Sequence, residues 1–252
     1  MTITYLDVET TFVKGENRRS DPSPFHPENK LVSVQYSHDN EPIQFNWFYH
    51  KDMDEMASEM TVGESFNLVQ DVLDKTTVLI GHNIKFDLMW LWESGFSYKG
   101  QVYDTMIGEY TLLRGQKWGL SLADSCIRRK VAMKKSDLTH DYLKDGIGFD
   151  AMPMDTVQEY GIADIESTKQ LHLAQEEIFK NSHNSPMRKH LMLMNKFLPI
   201  LAVIERNGIK IDFTTLEKVR VDYEIEQKDL KAKMEEICRE VMGDTNVNFA
   251  SP

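Results

Sequence analysis

Two acidic residues, Asp7 and Glu9, stand two positions apart near the start of the chain. Residues 3–9 are otherwise mostly apolar and predict a central strand, on which alternation points both carboxylates to the same face. Two anions at the end of a buried strand repel each other and lose hydration, and a divalent cation between them makes the pair tolerable. The spacing predicts part of a metal site, with two solvated acids at a frayed strand end as the alternative.

A third acid, Asp87, falls on the inward stripe of a predicted helix that follows Asn83; the stripe consists of Ile84, Leu88 and Leu91. A charge that faces a core is costly unless it is paired, hydrogen-bonded or bound to a metal. The alternative is an acid that complements the positive end of the helix. Asn83 has a simpler interpretation as an N-cap, and His82 as an ordinary loop histidine.

Tyr160 and Asp164 lie four residues apart in a later helix and therefore share one face. Their stripe also holds Val157, Gly161 and Leu171. As for Asp87, a charge at Asp164 on an inward face is costly unless it is paired, hydrogen-bonded or bound to a metal. The alternative is a tyrosine packed in the core beside an aspartate that a neighbour satisfies.

The elements that must position these residues form a mixed α/β pattern, with strands first and helices later. The predicted strands are residues 3–9, 31–37, 43–48, 77–80, 101–103 and 209–211, of which 31–37 and 43–48 form a hairpin. The predicted helices are residues 65–73, 83–92, 104–113, 155–179, 188–206 and 213–242, with short helices in 115–150 and a loop at 14–30. Asp155 and Gln158 resemble a capping box, and Gly243 a C-cap. The chain turns helical after residue 185, which marks a domain boundary.

Composition narrows the class of protein. The 252 residues are 41% hydrophobic, enough for a sizeable core, and no apolar run approaches the roughly 18–20 residues of a membrane span. The N-terminal sequence lacks the pattern of a secretory signal. A net charge of −11 argues against a simple electrostatic nucleic-acid binder, although divalent metals can carry the contact to phosphate. Cys126 and Cys238 are expected to be reduced thiols in a cytoplasmic protein.

Three motifs occur in order: Asp7-Val8-Glu9, Asn83-Ile84-Lys85-Phe86-Asp87 and Tyr160-Gly161-Ile162-Ala163-Asp164. Together they resemble the exonuclease motifs of the DEDD superfamily, in its tyrosine-bearing subtype. The resemblance implies a ribonuclease H-like fold, a mixed five-stranded sheet flanked by helices. Residues 10–75 and 115–150 match this family only loosely.

A second resemblance lies in residues 194–212, which are similar to the segment that opens the polymerase domain of family A DNA polymerases and leads into the thumb. We therefore expect an exonuclease domain at 1–185 and an incomplete, helical start of a polymerase domain at 186–252. Residues 248–252 resemble the stretch before the thumb helices, and nothing resembles the polymerase palm. We expect a truncated polymerase of phage type, without a 5′-nuclease domain.

The family resemblance implies two divalent ions, Mg²⁺ or Mn²⁺, held by hard oxygen ligands. It implies that Asp7 bridges both ions, that Glu9 and Asp164 complete the first site, and that Asp87 holds the second. Tyr160 would orient the attacking water. The residues implied to line the pocket for the terminal nucleotide are Thr10, His82, Asn83 and Phe86, with core packing as the alternative for Phe86. A basic cluster could guide the strand or form a solvated helix face; it comprises Arg128, Arg129, Lys130, Lys134 and Lys135.

The implied function is the removal of nucleoside 5′-monophosphates from single-stranded or frayed DNA 3′ ends, as the proofreading part of a DNA polymerase. The implied partners are a single-stranded 3′ end, the rest of the polymerase chain and a processivity factor, with no membrane. The expected location is the cytoplasm, that of the host if the protein is viral. The alternatives are an RNA-trimming exonuclease, a catalytically silent scaffold domain and a transposase-like member of the fold.

Overall fold

The structure, a computed structural model, describes residues 2–14, 20–39, 41–53, 55–131 and 137–243, without the side chains of 55–61, 182 and 185. By compactness the chain divides into two units, Met1–Arg206 and Asn207–Pro252. Part of the predicted loop at 14–30, the basic residues Lys134 and Lys135, and the segment 248–252 lie outside the described residues.

The first unit is built on a mixed five-stranded sheet, which confirms the predicted fold class. Its strands, in chain order, are β1 Ile3–Thr10, β4 Leu31–His38, β5 Gln44–Trp47, β6 Val78–Gly81 and β7 Gln101–Asp104. Across the sheet they run β5-β4-β1-β6-β7. A separate two-stranded pair, β2 Val13–Lys14 and β3 Ser20–Asp21, lies within the predicted loop.

Strand β1 is central because it is paired on both sides. It runs antiparallel to β4 from Thr4 to Thr10, and β4 continues into the predicted hairpin with β5. On its other edge β1 runs parallel to β6, but only over Ile3, Thr4 and Tyr5. The second half of β1 therefore extends beyond the end of β6.

The helices of the first unit follow the predicted order. They are α1 Glu55–Lys75, α2 Ile84–Glu93, α3 Thr105–Leu113, α4 Leu122–Arg129, α5 Asp137–Lys144, α6 Met154–Phe179 and α7 Ser185–Asn207, with a short 3₁₀ turn at Ser182–Asn184. No helix among the described residues has the length and apolar character of a membrane span.

The two faces of the sheet bury alternate residues of β1. Leu6 and Val8 join the main core cluster with side chains of α1 and α2. Tyr5 faces the other way and packs with Ile80 and with Ile165 of α6. Since side chains alternate along a strand, Asp7 and Glu9 share the α6 face with Tyr5.

Helix α6 does not begin with the predicted capping box. Its first residue is Met154 and its N-cap is Pro153, which makes no side-chain cap, so Asp155 and Gln158 lie inside the helix. Proline has its φ fixed near the helical value and lacks an N–H, so it begins a helix without a hydrogen-bonding side chain.

The compact units divide after Arg206, later than the predicted boundary at residue 185, because α7 packs on the first unit. Leu191, Leu198 and Ala202 of α7 are buried. At the end of the helix, Arg206 pairs with Glu93 of α2 at 2.6 Å.

In the second unit, the predicted strand at 209–211 is wrong, because those residues have no strand pairing. Ile209 is 90% exposed, and this three-residue segment, which has no partner strand, stays irregular. The unit's helix, α8 Phe213–Met242, begins where the Asp212 carboxylate accepts hydrogen bonds from the backbone of Thr214 and Thr215. It ends at Gly243, whose φ of 65° matches the predicted C-cap.

Candidate active site

The half of β1 that β6 leaves uncovered presents the first two acids. Asp7 and Glu9 lie beyond Tyr5, the last residue that pairs with β6, so β6 does not cover this edge of the strand. The pairing of β1 with β4 shifts between Glu9 and Thr10, which marks a bulge where the strand ends. Glu9 is buried and Asp7 is half-buried.

Helix α6 brings the third acid to the same place. Ligand oxygens of Asp7, Glu9 and Asp164 all lie within 4.8 Å of one another, and we call these three residues the carboxylate cluster. Tyr160 stands one turn before Asp164, is 7% exposed, and shares a side-chain hydrogen bond with it. The structure thus unites residues that are more than 150 positions apart in the chain.

Asp87 reaches this end of β1 from α2, on the other face of the sheet. Its Oδ1 accepts a hydrogen bond of 3.1 Å from the backbone N–H of Val8, between Asp7 and Glu9. Asp87 is 2% exposed, and this burial, with the adjacent charge of Asp7, raises the pKa of its carboxyl well above the ordinary value. Two hydrogen bonds from backbone N–H groups oppose the rise without cancelling it.

The environment of Tyr160 keeps its hydroxyl protonated. Burial raises the pKa of the phenol first, and the negative charges of Glu9, Asp164 and Asp7 raise it further. The ring packs beside Phe149, with the two ring centroids 5.6 Å apart. The protonated hydroxyl can donate a hydrogen bond or accept one.

One residue at the site was missed in the sequence. Gln35 of β4 lies directly opposite Asp7, is fully buried, and its Nε2 donates to Asp7 Oδ2 at 2.7 Å. In the sequence, Ser33, Gln35 and Ser37 alternate with apolar residues as on a half-exposed strand, and only the structure shows that all three are buried. A polar face inside a central sheet indicates a site.

The carboxylate cluster fits a hard divalent cation. It offers several converging oxygen atoms, in a partly buried setting where unneutralised acids would repel one another. Oxygen ligands of this type suit Mg²⁺ or Mn²⁺, whereas structural zinc sites are built largely from Cys and His. Among the described residues, the cluster lacks any Cys or His ligand.

The 3′-5′ exonuclease family matches this chain over residues 26–177, more than half of its length. The chain belongs to the 3′-5′ exonuclease family. It is also 26% identical, over 204 residues, to a DNA polymerase of Bacillus phage SP01. That match covers 75% of this chain but 20% of the phage polymerase, so the chain spans about a fifth of that relative's length.

Solved structures share the fold of this exonuclease-family chain. NrnC of Brucella melitensis with bound Mg²⁺ superposes with a TM-score of 0.54 at 21% identity, covering 82% of this chain and 86% of that one. NrnC bound to pGG gives 0.55 at 19% identity, covering 82% and 85%. The POL domain of Pol1 from M. smegmatis, in complex with DNA primer-template and dNTP, gives 0.55 at 15% identity, covering 97% and 35%.

The structure places the four residues predicted to contact substrate in different surroundings. Thr10 is buried beside Glu9, and Phe86 is half-buried against the main core cluster. Both ring nitrogens of His82 are engaged, Nδ1 with the Thr105 hydroxyl at 2.9 Å and Nε2 with the Leu120 carbonyl at 2.8 Å. His82 therefore ties α2 to α3 and to the loop that follows it.

Asn83 occupies the N-cap position of α2, as the simpler interpretation predicted, but its side chain makes no capping hydrogen bond. Its backbone is left-handed, with φ 66° and ψ 41°, a conformation that asparagine tolerates better than most residues. The backbone N–H of Asn83 donates to Oδ1 of Asp104 at 3.0 Å. The same carboxylate caps α3, so Asp104, which sequence reasoning also missed, holds two helices of the exonuclease fold.

Part of the basic cluster that was predicted to guide the strand is held in ion pairs. Arg128 and Arg129 both bind Glu109, which is 0% exposed, at 2.7 and 2.9 Å. Neither the strand-guiding hypothesis nor the solvated-face alternative included this buried partner. The two guanidinium groups stabilise the packing of α4 on α3 within the exonuclease domain.

Proposed function

We propose that this chain is a metal-dependent 3′-5′ exonuclease that removes nucleoside 5′-monophosphates from single-stranded or frayed DNA 3′ ends, as the proofreading part of a family A DNA polymerase. The observation that carries the proposal is the convergence of Asp7, Glu9 and Asp164, with ligand oxygens within 4.8 Å of one another. Membership of the 3′-5′ exonuclease family gives the reaction class.

Support for DNA over RNA comes from two observations outside the carboxylate cluster. Residues 194–212 resemble the start of a family A polymerase domain, and the relative from phage SP01 is a DNA polymerase. We accordingly propose that residues 1–185 are the exonuclease domain and that residues 186–252 begin a polymerase domain. The proposed partners are a DNA 3′ end, further polymerase sequence and a processivity factor, in the cytoplasm of a host cell infected by a virus.

In the proposed reaction, a water oxygen attacks the terminal phosphorus and the bond from phosphorus to the 3′ oxygen of the preceding nucleotide breaks. The leaving oxygen takes up a proton, and a nucleoside 5′-monophosphate departs. Asp7, Glu9 and Asp164 would hold Mg²⁺ or Mn²⁺, with Asp87 serving a second ion. Bound divalent cations supply activation of water and neutralise charge on the phosphoryl oxygens.

The protein groups around the cluster orient the reactants. Burial and the adjacent acids raise the pKa of Tyr160, so its hydroxyl is protonated. This hydroxyl donates a hydrogen bond to the attacking water or accepts one from it. Glu9 acts with it on the same water. Phe86 stacks on a base, a contact worth about 1–3 kcal/mol that tolerates any sequence. Thr10, His82 and Asn83 complete the pocket for the terminal nucleotide.

Selectivity in this proposal arises before the chemical step. Because only an unpaired terminus reaches the site, a mismatched end, which frays at lower cost than a paired one, is cut more often. Sequence specificity is low because the site contacts the DNA backbone and stacks on one base. This behaviour is what a proofreading function requires.

The test follows degradation of single-stranded DNA labelled at its 5′ or its 3′ end, with Mg²⁺ or Mn²⁺. We expect mononucleotides from the 3′ end, abolished by chelator and by Asp7→Ala. The exposed acid Asp71 on α1 provides the matched control Asp71→Ala, which should cut normally. Faster degradation of the equivalent RNA would favour the RNA-trimming alternative, and internal cuts the transposase-like one. Absence of cleavage with either metal would favour a silent scaffold.

A further inference from the structure

The Gln35 side chain bridges the two acids of β1. Its Nε2 lies 2.7 Å from Asp7 Oδ2 and 3.4 Å from Glu9 Oε1, so one amide nitrogen donates toward both carboxylates. Gln35 is 0% exposed, and it comes from β4, the strand paired with β1. The Gln35 side chain therefore lies between the sheet and α6 and is itself closed to solvent.

Ser33 fixes the orientation of the Gln35 amide. The Ser33 hydroxyl donates to Gln35 Oε1 at 3.2 Å, from two residues earlier on the same face of β4. A reversed amide would place Oε1 against Asp7 and Glu9, where an acceptor meets only acceptors. The nitrogen is thus directed at the acids by a hydrogen bond on one side and by electrostatic repulsion on the other.

Gly161 provides the space in which Gln35 lies. A Cβ atom built on Gly161 would come within 2.9 Å of Gln35 Cδ and within 3.0 Å of both Gln35 Nε2 and Phe45 Cε2. Gly161 follows Tyr160 in α6, so the helix that carries Tyr160 and Asp164 packs its glycine directly on the glutamine. Glycine costs about 1 kcal/mol relative to alanine within a helix, and this contact gives a reason for it.

We propose that Gln35, seated against Gly161, is a positioning residue for the metal site, holding Asp7 and Glu9 in converged orientations that the ion then uses. This inference rests on the proposed metal-dependent function. The amide is suited to the task because it offers hydrogen-bond donors without adding charge. A lysine would compete with the ion for the carboxylates, and a glutamate would add repulsion.

The experiment measures Mn²⁺ binding by the loss of the free-ion electron paramagnetic resonance signal, with no DNA present. Gln35→Met keeps the length of the side chain but removes the donor. We expect Mn²⁺ affinity to fall about 10-fold or more, the usual effect of losing an outer partner of a metal ligand. The matched control is Gln44→Met, at an exposed glutamine on β5, which should bind Mn²⁺ as the wild type does.

Gly161→Ala tests the same idea without touching the amide. The added methyl displaces Gln35, so Mn²⁺ affinity should fall, while the better helix propensity of alanine offsets part of the steric cost. In a Gln35→Ala background the contacts with the glutamine are gone and the 3.0 Å contact with Phe45 remains, so Gly161→Ala should then cause a smaller loss. Such non-additivity is the signature of two residues acting through one contact.

The outcomes separate the inference from the function on which it rests. A wild type that binds no more Mn²⁺ than Asp7→Ala would overturn the metal site itself, and the role of Gln35 with it. Wild-type binding with Gln35→Met within about twofold would overturn the positioning role and leave the proposed function standing. Equal losses from Gly161→Ala in both backgrounds would show that the glycine does not act through Gln35.

Discussion

The backbone N–H of Val8 donates a hydrogen bond of 3.1 Å to the Asp87 carboxylate, and this contact ties α2 to the half of β1 that β6 leaves uncovered. Val8 lies between Asp7 and Glu9, so the fourth acid is fixed to the strand that carries the first two. The position of Asp87 is thus set by a backbone group, which no substitution of side chains other than proline removes.

We expect Asp87→Asn to raise the stability of the metal-free protein and to lower its nuclease activity. Asparagine keeps an oxygen that accepts from Val8 and removes a buried charge whose pKa is raised by burial and by Asp7. A raised pKa means that the ionised form destabilises the fold at neutral pH. We therefore expect the metal-free variant to melt at a higher temperature than wild type in chelator, and nuclease activity to fall by more than about 100-fold. A lower melting temperature would contradict this account of the buried charge.

Tyr160→Phe should lower kcat by about 10²-fold, the scale of losing a group that positions a proton in the transition state. Because the hydroxyl also hydrogen-bonds Asp164, Mn²⁺ affinity should fall as well, by about 10-fold or more, so kcat is compared at saturating Mn²⁺. Titration of Mn²⁺ beside single-turnover cleavage measures both quantities. Tyr110→Phe, at a tyrosine that is 56% exposed on α3, is the matched control. An unchanged kcat would remove Tyr160 from the mechanism.

Asp104 should make the stability of the metal-free protein depend on pH. Burial raises the pKa of its carboxyl from 3.8 to about 6, although backbone N–H groups of Asn83, Met106 and Ile107 lower it in part. Its Oδ2 is buried without a hydrogen-bond partner among the described residues. Because the folded-state pKa is raised, the stability that protonated Asp104 contributes is fully present below pH 3.8 and is lost as pH rises through about 6.

This loss of unfolding free energy amounts to roughly 3 kcal/mol, because each unit of pKa shift corresponds to about 1.36 kcal/mol. Asp104→Asn removes the titration, so the unfolding free energy of the variant relative to wild type should rise between pH 4 and pH 7. Urea unfolding in chelator at several pH values gives this difference. Asp71→Asn, at the exposed acid on α1, should follow the wild-type curve. A constant difference between Asp104→Asn and wild type would contradict the raised pKa.

Glu109→Gln should destabilise the first unit by about 3–5 kcal/mol, the usual cost of removing one partner from a buried ion pair. Burial alone would raise the pKa of Glu109, but hydrogen bonds from Arg129 and Arg128 outweigh it and lower the pKa. Denaturant unfolding at neutral pH measures the change. Glu177→Gln, which breaks a solvent-exposed pair with Lys180, should cost less than about 1 kcal/mol. Equal losses of unfolding free energy in the two variants would show that the buried pair contributes no more than the exposed one.

Local sequence patterns were sufficient to predict most of the strands and helices. The apolar run of β1, the alternation in the hairpin and the inward stripes of α2 and α6 each predicted an element that the structure contains. Asp87 and Asp164 could be singled out because an acid on an apolar helical stripe breaks the local pattern. Their convergence followed from family resemblance, since periodicity does not show which strand end meets which helix.

Residues that depend on distant partners could not be predicted. Gln35 looks like an ordinary polar residue of a half-exposed strand until Asp7 is placed opposite it. Arg128 and Arg129 look solvated because their partner, Glu109, lies on another helix. The strand expected at 209–211 failed for the opposite reason, because strand propensity is realised only where a neighbouring strand supplies hydrogen bonds.

Strand β1, which is paired on both edges over Ile3–Tyr5 and with β4 alone beyond them, also sets how the site responds to thermal motion. Amide hydrogens in a central strand exchange with deuterium only when the sheet itself opens, whereas those at the ends of peripheral helices exchange through local fraying. Asp7 and Glu9 directly follow Ile3–Tyr5, the segment of β1 that is paired on both edges. We expect the amides of β1 to remain protected in deuterated buffer after those of the outer helices have exchanged, with or without bound ion. Loss of the metal would then leave a preformed, slowly opening scaffold that can reload without refolding.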